Sequence, residues 1–192
     1  MLIGFNKPFG VICQFSPSGD KATLKDYVDL PDVYPAGRLD TDSEGLLLLT
    51  DDGVLQARIA DPRHKLAKTY WVQVEGEPTD ADLTPLRAGV DLGDFVALPA
   101  KARMIPPPTQ LWPRDPPVRF RQNIPTAWLE IVIIEGKNRQ IRRMTAKIGY
   151  PTLRLVRIAI GTWQLAGIPP AKWRELDIPT NLMQRTRISK KP

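Results

Sequence analysis

Residues 68 to 75 alternate, with Tyr70, Val72 and Val74 falling on one side, which is the period of a half-buried strand. Gly45 to Thr50 carries four successive leucines and is closed by Asp51-Asp52-Gly53, so it reads as a buried strand ending in a turn. Trp128 to Ile134 is a third strongly apolar strand. Two short strands are predicted at the start, Met1 to Ile3 and Gly10 to Phe15, joined by a turn over Asn6-Lys7-Pro8-Phe9-Gly10. Helical spacing is found in four places. Thr23 caps a short helix over Leu24 to Val28, Leu55 to Ala60 forms another, and Leu83 and Leu86 lie on a third that ends at Gly89. In the fourth, within Lys137 to Lys147, Ile141, Met144 and Ile148 form an apolar footing that leaves Arg142, Arg143 and Lys147 to project elsewhere. Between Met104 and Pro125 seven prolines forbid regular helix and mark an irregular excursion, which either meets a substrate or covers the sheet.

At 192 residues, 42% hydrophobic and 25% charged, the chain has enough apolar material for one folding unit, residues 1–192. No run reaches the roughly 18 apolar residues of a membrane span, and the first residues lack a secretory pattern, so a cytoplasmic monomer is expected. The lone Cys13 excludes an internal disulfide and, among apolar neighbours, reads as a buried thiol. The net charge of +6 is unevenly placed: from Lys137 onward 13 Lys/Arg face two acids, giving +11, whereas the preceding residues sum to −5. Such a bias points to a polyanion, and to nucleic acid in particular. Residues 185–192 read as a flexible basic tail.

The densest polar cluster is Gly37-Arg38-Leu39-Asp40-Thr41-Asp42-Ser43-Glu44-Gly45, with three carboxylates in five residues. Asp40, Asp42, Glu44 and Gly45 mimic the early positions of a calcium loop. The leucines that follow, and Asp51 where a bidentate Glu belongs, break that pattern. An acidic turn capping a strand is the plain alternative.

The whole string resembles the signature of the RsuA-type ribosomal RNA pseudouridine synthases: Gly-Arg-Leu-Asp, then Ser-Glu-Gly-Leu-Leu-Leu-Leu-Thr and Asp-Gly. Lys68-Thr69-Tyr70 is similar to a second family motif, and Glu135-Gly136-Lys137-Asn138-Arg139-Gln140-Ile141-Arg142-Arg143-Met144 to a third. Asn6-Lys7-Pro8-Phe9-Gly10 resembles the family's opening strand, and Gln110-Leu111-Trp112-Pro113-Arg114 favours its large-subunit branch. The resemblance implies an α+β fold with a central, mainly antiparallel mixed sheet, flanking helices and a catalytic cleft. Many relatives carry a small RNA-binding module before the opening strand, and with no room for one here a single catalytic domain is expected.

By the same resemblance the chain isomerises a uridine of 23S rRNA, free or in an assembling large subunit. Asp40 is then the catalytic carboxylate, Arg142 its ion-pairing arginine, and Tyr70 the aromatic group that stacks on the flipped base and assists proton removal. Arg38, Lys137, Arg139, Arg143 and Lys147 are the expected RNA contacts, which offset the few kcal/mol that base extrusion costs. Nothing is oxidised and no group is donated, so neither cofactor nor metal is implied. One His and one Cys provide no imidazole or thiolate zinc cluster. The rival is a non-catalytic RNA-binding factor for ribosome assembly. Asp40 discriminates the two, because a pure binder has no use for a carboxylate facing phosphate.

Overall fold

The protein, seen in a computed structural model, is described for residues 1–64, 66–119, 121 and 123–183; the expected tail at 185–192 lies outside them. Its centre is a nine-stranded sheet. Seven strands run in the order β5 (Lys101–Ile105), β6 (Thr126–Ile133), β4 (Lys68–Glu75), β7 (Thr152–Ile160), β3 (Glu44–Thr50), β1 (Leu2–Lys7) and β9 (Trp173–Glu175). The short β2 (Tyr34–Pro35) pairs with β3, and β8 (Trp163–Gln164) with β7. Neighbours are antiparallel except at β3 and β7, which run parallel where Glu44 meets Val156 and Gly45 meets Arg157. Four helices, α1 (Gly53–Ala60), α2 (Thr84–Ala88), α3 (Gln140–Lys147) and α4 (Thr180–Met183), flank this mixed sheet in an α+β fold. None of these is long and apolar enough to cross a membrane.

The unbroken leucines of β3 follow from its central place. Successive side chains of a strand point to opposite faces. Leu46 and Leu48 therefore pack with Leu55 and Ile59 of α1, while Leu47 and Leu49 pack with Phe5, Val11, Leu24 and Val28. Asp52 starts α1 by accepting from the amides of Val54 and Leu55. A third cluster joins Val72 and Val74 of β4 with Leu83, Leu86, Ile141 and Met144, seating α2 and α3 on the sheet.

Four local expectations change. Gly10 to Phe15 is not a strand; Ile12 makes one isolated bridge to Thr23. The strand instead lengthens to Lys7, and the polar Asn6 and Lys7 are wholly buried because each finds carbonyl partners. Asn6 Nδ2 donates to Ile168 O at 2.9 Å and Lys7 Nζ to Pro8 O and Val11 O at 2.9 Å. The helix after Thr23 is one 3₁₀ turn, Leu24–Asp26. The helix bearing Ile141 starts at Gln140 rather than Lys137, because Arg139 has a left-handed φ of 49°. Cys13 is half-buried, and its Sγ accepts from the Leu39 amide at 3.4 Å.

The proline excursion does cover the sheet, and it does so through a buried ion pair. Glu44, 1% exposed, takes Arg154 Nε and Nη2 at 2.8 Å and Trp112 Nε1 at 2.9 Å. Arg154 returns Nη2 to Trp112 O at 3.0 Å. Removing one member of such a set leaves a buried charge without its partner. Arg154→Met is expected to lower the urea-measured unfolding free energy by about 3–5 kcal/mol, and the double variant Glu44→Leu/Arg154→Met by less.

Candidate active site

The loop between β2 and β3 is held by its own backbone. Gly37, with φ 88°, turns the chain out of β2. Arg157 Nη1 then donates to Arg38 O at 3.4 Å, Lys7 Nζ to Thr41 O at 3.4 Å, and Arg142 Nη2 to Asp42 O at 2.6 Å. The Gly10 amide adds a bond to Thr41 O at 2.8 Å, and Ser43 N closes the turn on Asp40 O at 3.0 Å. Asp40 sits at the crown of this loop. Its carboxylate accepts no hydrogen bond among the described residues; Arg139 is its ion-pair partner there at 3.9 Å, and the Arg142 charge acts on it from farther off.

Asp40 and Tyr70 line the same recessed cavity of about 150 Å³. Tyr70 is there because β4 turns its alternate face toward the loop, burying the ring to 7% exposure. Arg38, Lys137 and Arg139 line the cavity as well. Two cations that sequence reasoning did not assign join them, Lys68 and Arg157. Lys68 lies two residues before Tyr70, hence on the same face of β4. Burial, and then the Arg157 charge, push its amine below the ordinary lysine value. Arg157 is 3% exposed, and its Nη2 has no partner among the described residues. The signal for it was a charge inside the apolar run of β7.

Arg142 forms no close ion pair with Asp40, whose charge acts on it only from farther off. It is 12% exposed and faces Asp42, with Nε 3.4 Å from Oδ2; Arg139 binds the same carboxylate through both guanidinium ends, at 3.0 and 2.9 Å. The reason is reach: α3 passes the loop beside Asp42, two residues beyond the crown. Burial alone would raise the Asp42 carboxyl, but the Arg139 hydrogen bonds and the charges of Arg142 and Arg139 hold it below the usual carboxylate value. Arg143 turns away to Asp94 and to Leu92 O at 2.8 Å, and lies over the Phe95 ring. Lys137 sits over that ring at 3.7 Å, and Lys147 is exposed near the end of α3. The turn before α3 is built by Gln140, buried at 3%, whose amide bridges Glu135 Oε1 and the Lys137 amide.

Residues 1–147, which contain the loop, Tyr70 and all of α3, match the family model described as RNA pseudouridylate synthase. The chain belongs to that family. Its relatives include the ribosomal large subunit pseudouridine synthase E of Xanthomonas axonopodis pv. citri, 60% identical over 88% of this chain and 90% of that protein. The enzyme of the same name from Vibrio vulnificus is 55% identical over 93% of this chain and 76% of its own length. A crystal structure of a pseudouridylate synthase superposes with a TM-score of 0.76 at 28% identity, covering 92% of this chain and 70% of that one. The recessed cavity with Asp40 and Tyr70 is thus the candidate active site of a family member.

Lys7, beneath the loop, supplies a pH test. Burial lowers its amine from 10.5 to about 8, although Cys13, Glu44 and Asp42 pull the other way. Between those values the unfolded chain holds a proton that the folded chain has released, so folding gains stability as pH rises. The contribution is about 3 kcal/mol across that span. Urea midpoints from pH 7 to 10 are expected to show this rise in the wild type relative to Lys7→Met, and parallel profiles would refute it.

Proposed function

We propose that this chain isomerises a uridine of 23S rRNA to pseudouridine, free or in an assembling large subunit, with the Asp40 carboxylate as nucleophile. The observation that carries this is the contrast within one motif. Glu44 and Asp42 are each bound by arginines, whereas Asp40, in the cavity with Tyr70, keeps its carboxylate oxygens free of hydrogen bonds among the described residues. A carboxylate so placed is free to attack an electron-poor carbon of the sugar or the base.

The reaction balances without an added group. Asp40 bonds to the carbon it attacks, the bond from ribose C1′ to uracil N1 breaks with its electron pair staying on the base, the base turns, and C5 bonds to C1′ while the Asp40 bond breaks to return the carboxylate and the C5 proton leaves. N1 ends protonated. Tyr70, buried against the cavity, stacks on the everted base and assists removal of the C5 proton. Arg38, exposed at the mouth, holds the flipped nucleotide, with Lys137 and Arg139 on flanking phosphates. Lys147 extends that phosphate track. Arg142 works as a positioning residue, since it holds Asp42 and the loop rather than Asp40 itself. Arg143, engaged by Asp94, braces α3 instead of meeting RNA. The large-subunit target is supported by the names of the relatives at 55–60% identity.

Two outcomes are expected. Asp40→Asn should bind rRNA as the wild type does and form no pseudouridine. Mapping pseudouridine in rRNA from cells lacking the protein, complemented by either version, should restore one site with the wild type alone. Arg142→Ala should lower the single-turnover rate about a hundredfold with little change in RNA affinity, and Arg142→Lys should recover part of it. Equal rates in all three proteins would remove the positioning role.

A further inference from the structure

The loop that carries Asp40 has a second hollow on its other side. This open groove, about 680 Å³, is lined by Phe9, Ile12, Cys13, Gln14 and Asn138, and it shares Arg38, Asp40, Lys137 and Arg139 with the recessed cavity. We infer that the groove is the subsite for the nucleotide next to the target uridine, and that the side-chain amides of Gln14 and Asn138 discriminate its base. The inference rests on the proposed function and extends it from chemistry to sequence choice.

Covalent continuity is the first argument. A uridine everted over Asp40 remains joined to its neighbours, so the RNA must leave the cavity across its rim. The groove shares that rim, whereas the hollows lined by Arg121 with Ile124 and by Trp71 with Trp112 share no described residue with the cavity. Its volume falls within the range that encloses a small ligand.

The lining chemistry is the second. Arg38 and Lys137 are exposed cations along the shared rim, suited to phosphate, and Arg139 beside them is exposed while paired with Asp42. The charge of Asp42, which also lines the groove, is taken up by Arg139 and Arg142 and does not oppose an incoming backbone. Phe9, Ile12 and Cys13 form a half-buried apolar wall, and the Arg114 guanidinium sits 4.4 Å from the Phe9 ring centroid. Unstacked bases are recognised by such walls together with polar groups that meet their edges.

The third argument is that the two amides have little else to do. Gln14 donates Nε2 to Ser16 O at 3.0 Å, which leaves its Oε1 without a partner among the described residues. Asn138 is exposed at the tip of the turn before α3, and its side chain makes no hydrogen bond among those residues. An amide offers a donor and an acceptor side by side, the pattern that distinguishes one base edge from another.

The test uses the full chain and 23S rRNA transcripts. Once the modified uridine is mapped, transcripts are made with each of the other three bases at the position on either side, and kcat/KM for pseudouridine is measured. The wild type should discriminate at one flanking position by about fivefold or more, and Gln14→Ala and Asn138→Ala should shrink that ratio toward unity on the same RNAs. A variant that merely disturbed folding would slow every transcript alike and leave the ratio intact. The inference is overturned if the wild type discriminates at neither position, or if both variants keep its ratio. Wild-type protein that forms no pseudouridine in any rRNA substrate would instead remove the proposed function, and the subsite with it.

Discussion

Three buried or nearly buried cations hold one loop by its carbonyl oxygens. Arg157, Lys7 and Arg142 come from β7, β1 and α3, and they bond Arg38 O, Thr41 O and Asp42 O on either side of Asp40. A buried cation without acceptors is costly, and a loop carbonyl without a donor is costly too, so each group answers the other's demand. The result is a crown whose backbone is fixed from three directions while the side chain at its tip is left open. A nucleophile held by hydrogen bonds to its own oxygens would have to break them before reacting. Holding the main chain instead fixes position and keeps the carboxylate available.

The same logic divides the acidic motif. Glu44 begins β3, where the sheet is dry, and an ion there is tolerable because Arg154 and Trp112 occupy both oxygens. Asp42 lies half-way out, gathering Arg139 and Arg142 and so tying the loop to α3. Asp40 alone faces the cavity. Depth along the chain therefore decides which carboxylate is structural and which is available, and the gradient spans five residues. It also explains why the calcium pattern fails as chemistry as well as spacing, since two of the three acids are already matched by guanidinium groups.

Much of this was legible in the amino-acid order, with gaps of a definite kind. The alternation of 68–75 gives β4 residue for residue, and the leucine run gives β3 to within one position, because burial on one or both faces dictates those periods. β7 escaped notice because Arg154 and Arg157 interrupt its apolar pattern. Both are buried, and their partners lie about 110 residues earlier, where no local window reaches. Asn6 was misplaced for the same reason, its partner Ile168 O lying 162 residues later, whereas Lys7 is buried on the nearby carbonyls of Pro8 and Val11. In the site, motif likeness located Asp40 and Tyr70, and the structure does bring them together. It could not tell that Arg142 faces Asp42, because a motif records that a cation arrives at the loop and not which of two acids it meets. Nor could charge pattern separate Arg139, paired with Asp42 on the cavity rim, from Arg143, paired with Asp94 away from it.

The parallel contact between β3 and β7 links these levels. It is short, two residue pairs, and Gly45 is in one of them. A Cβ at that position would lie 2.3 Å from Arg157 O and 2.9 Å from its amide nitrogen, and the φ of 100° is one that side chains avoid. With glycine there, the backbone of Arg157 comes close enough for its guanidinium to reach Leu46 O at 2.8 Å and, beyond it, Arg38 O. The glycine that follows the acidic cluster is thus more than punctuation between loop and strand. It sets the distance from which a buried arginine grips the loop, and through that grip it helps fix where the reactive carboxylate stands.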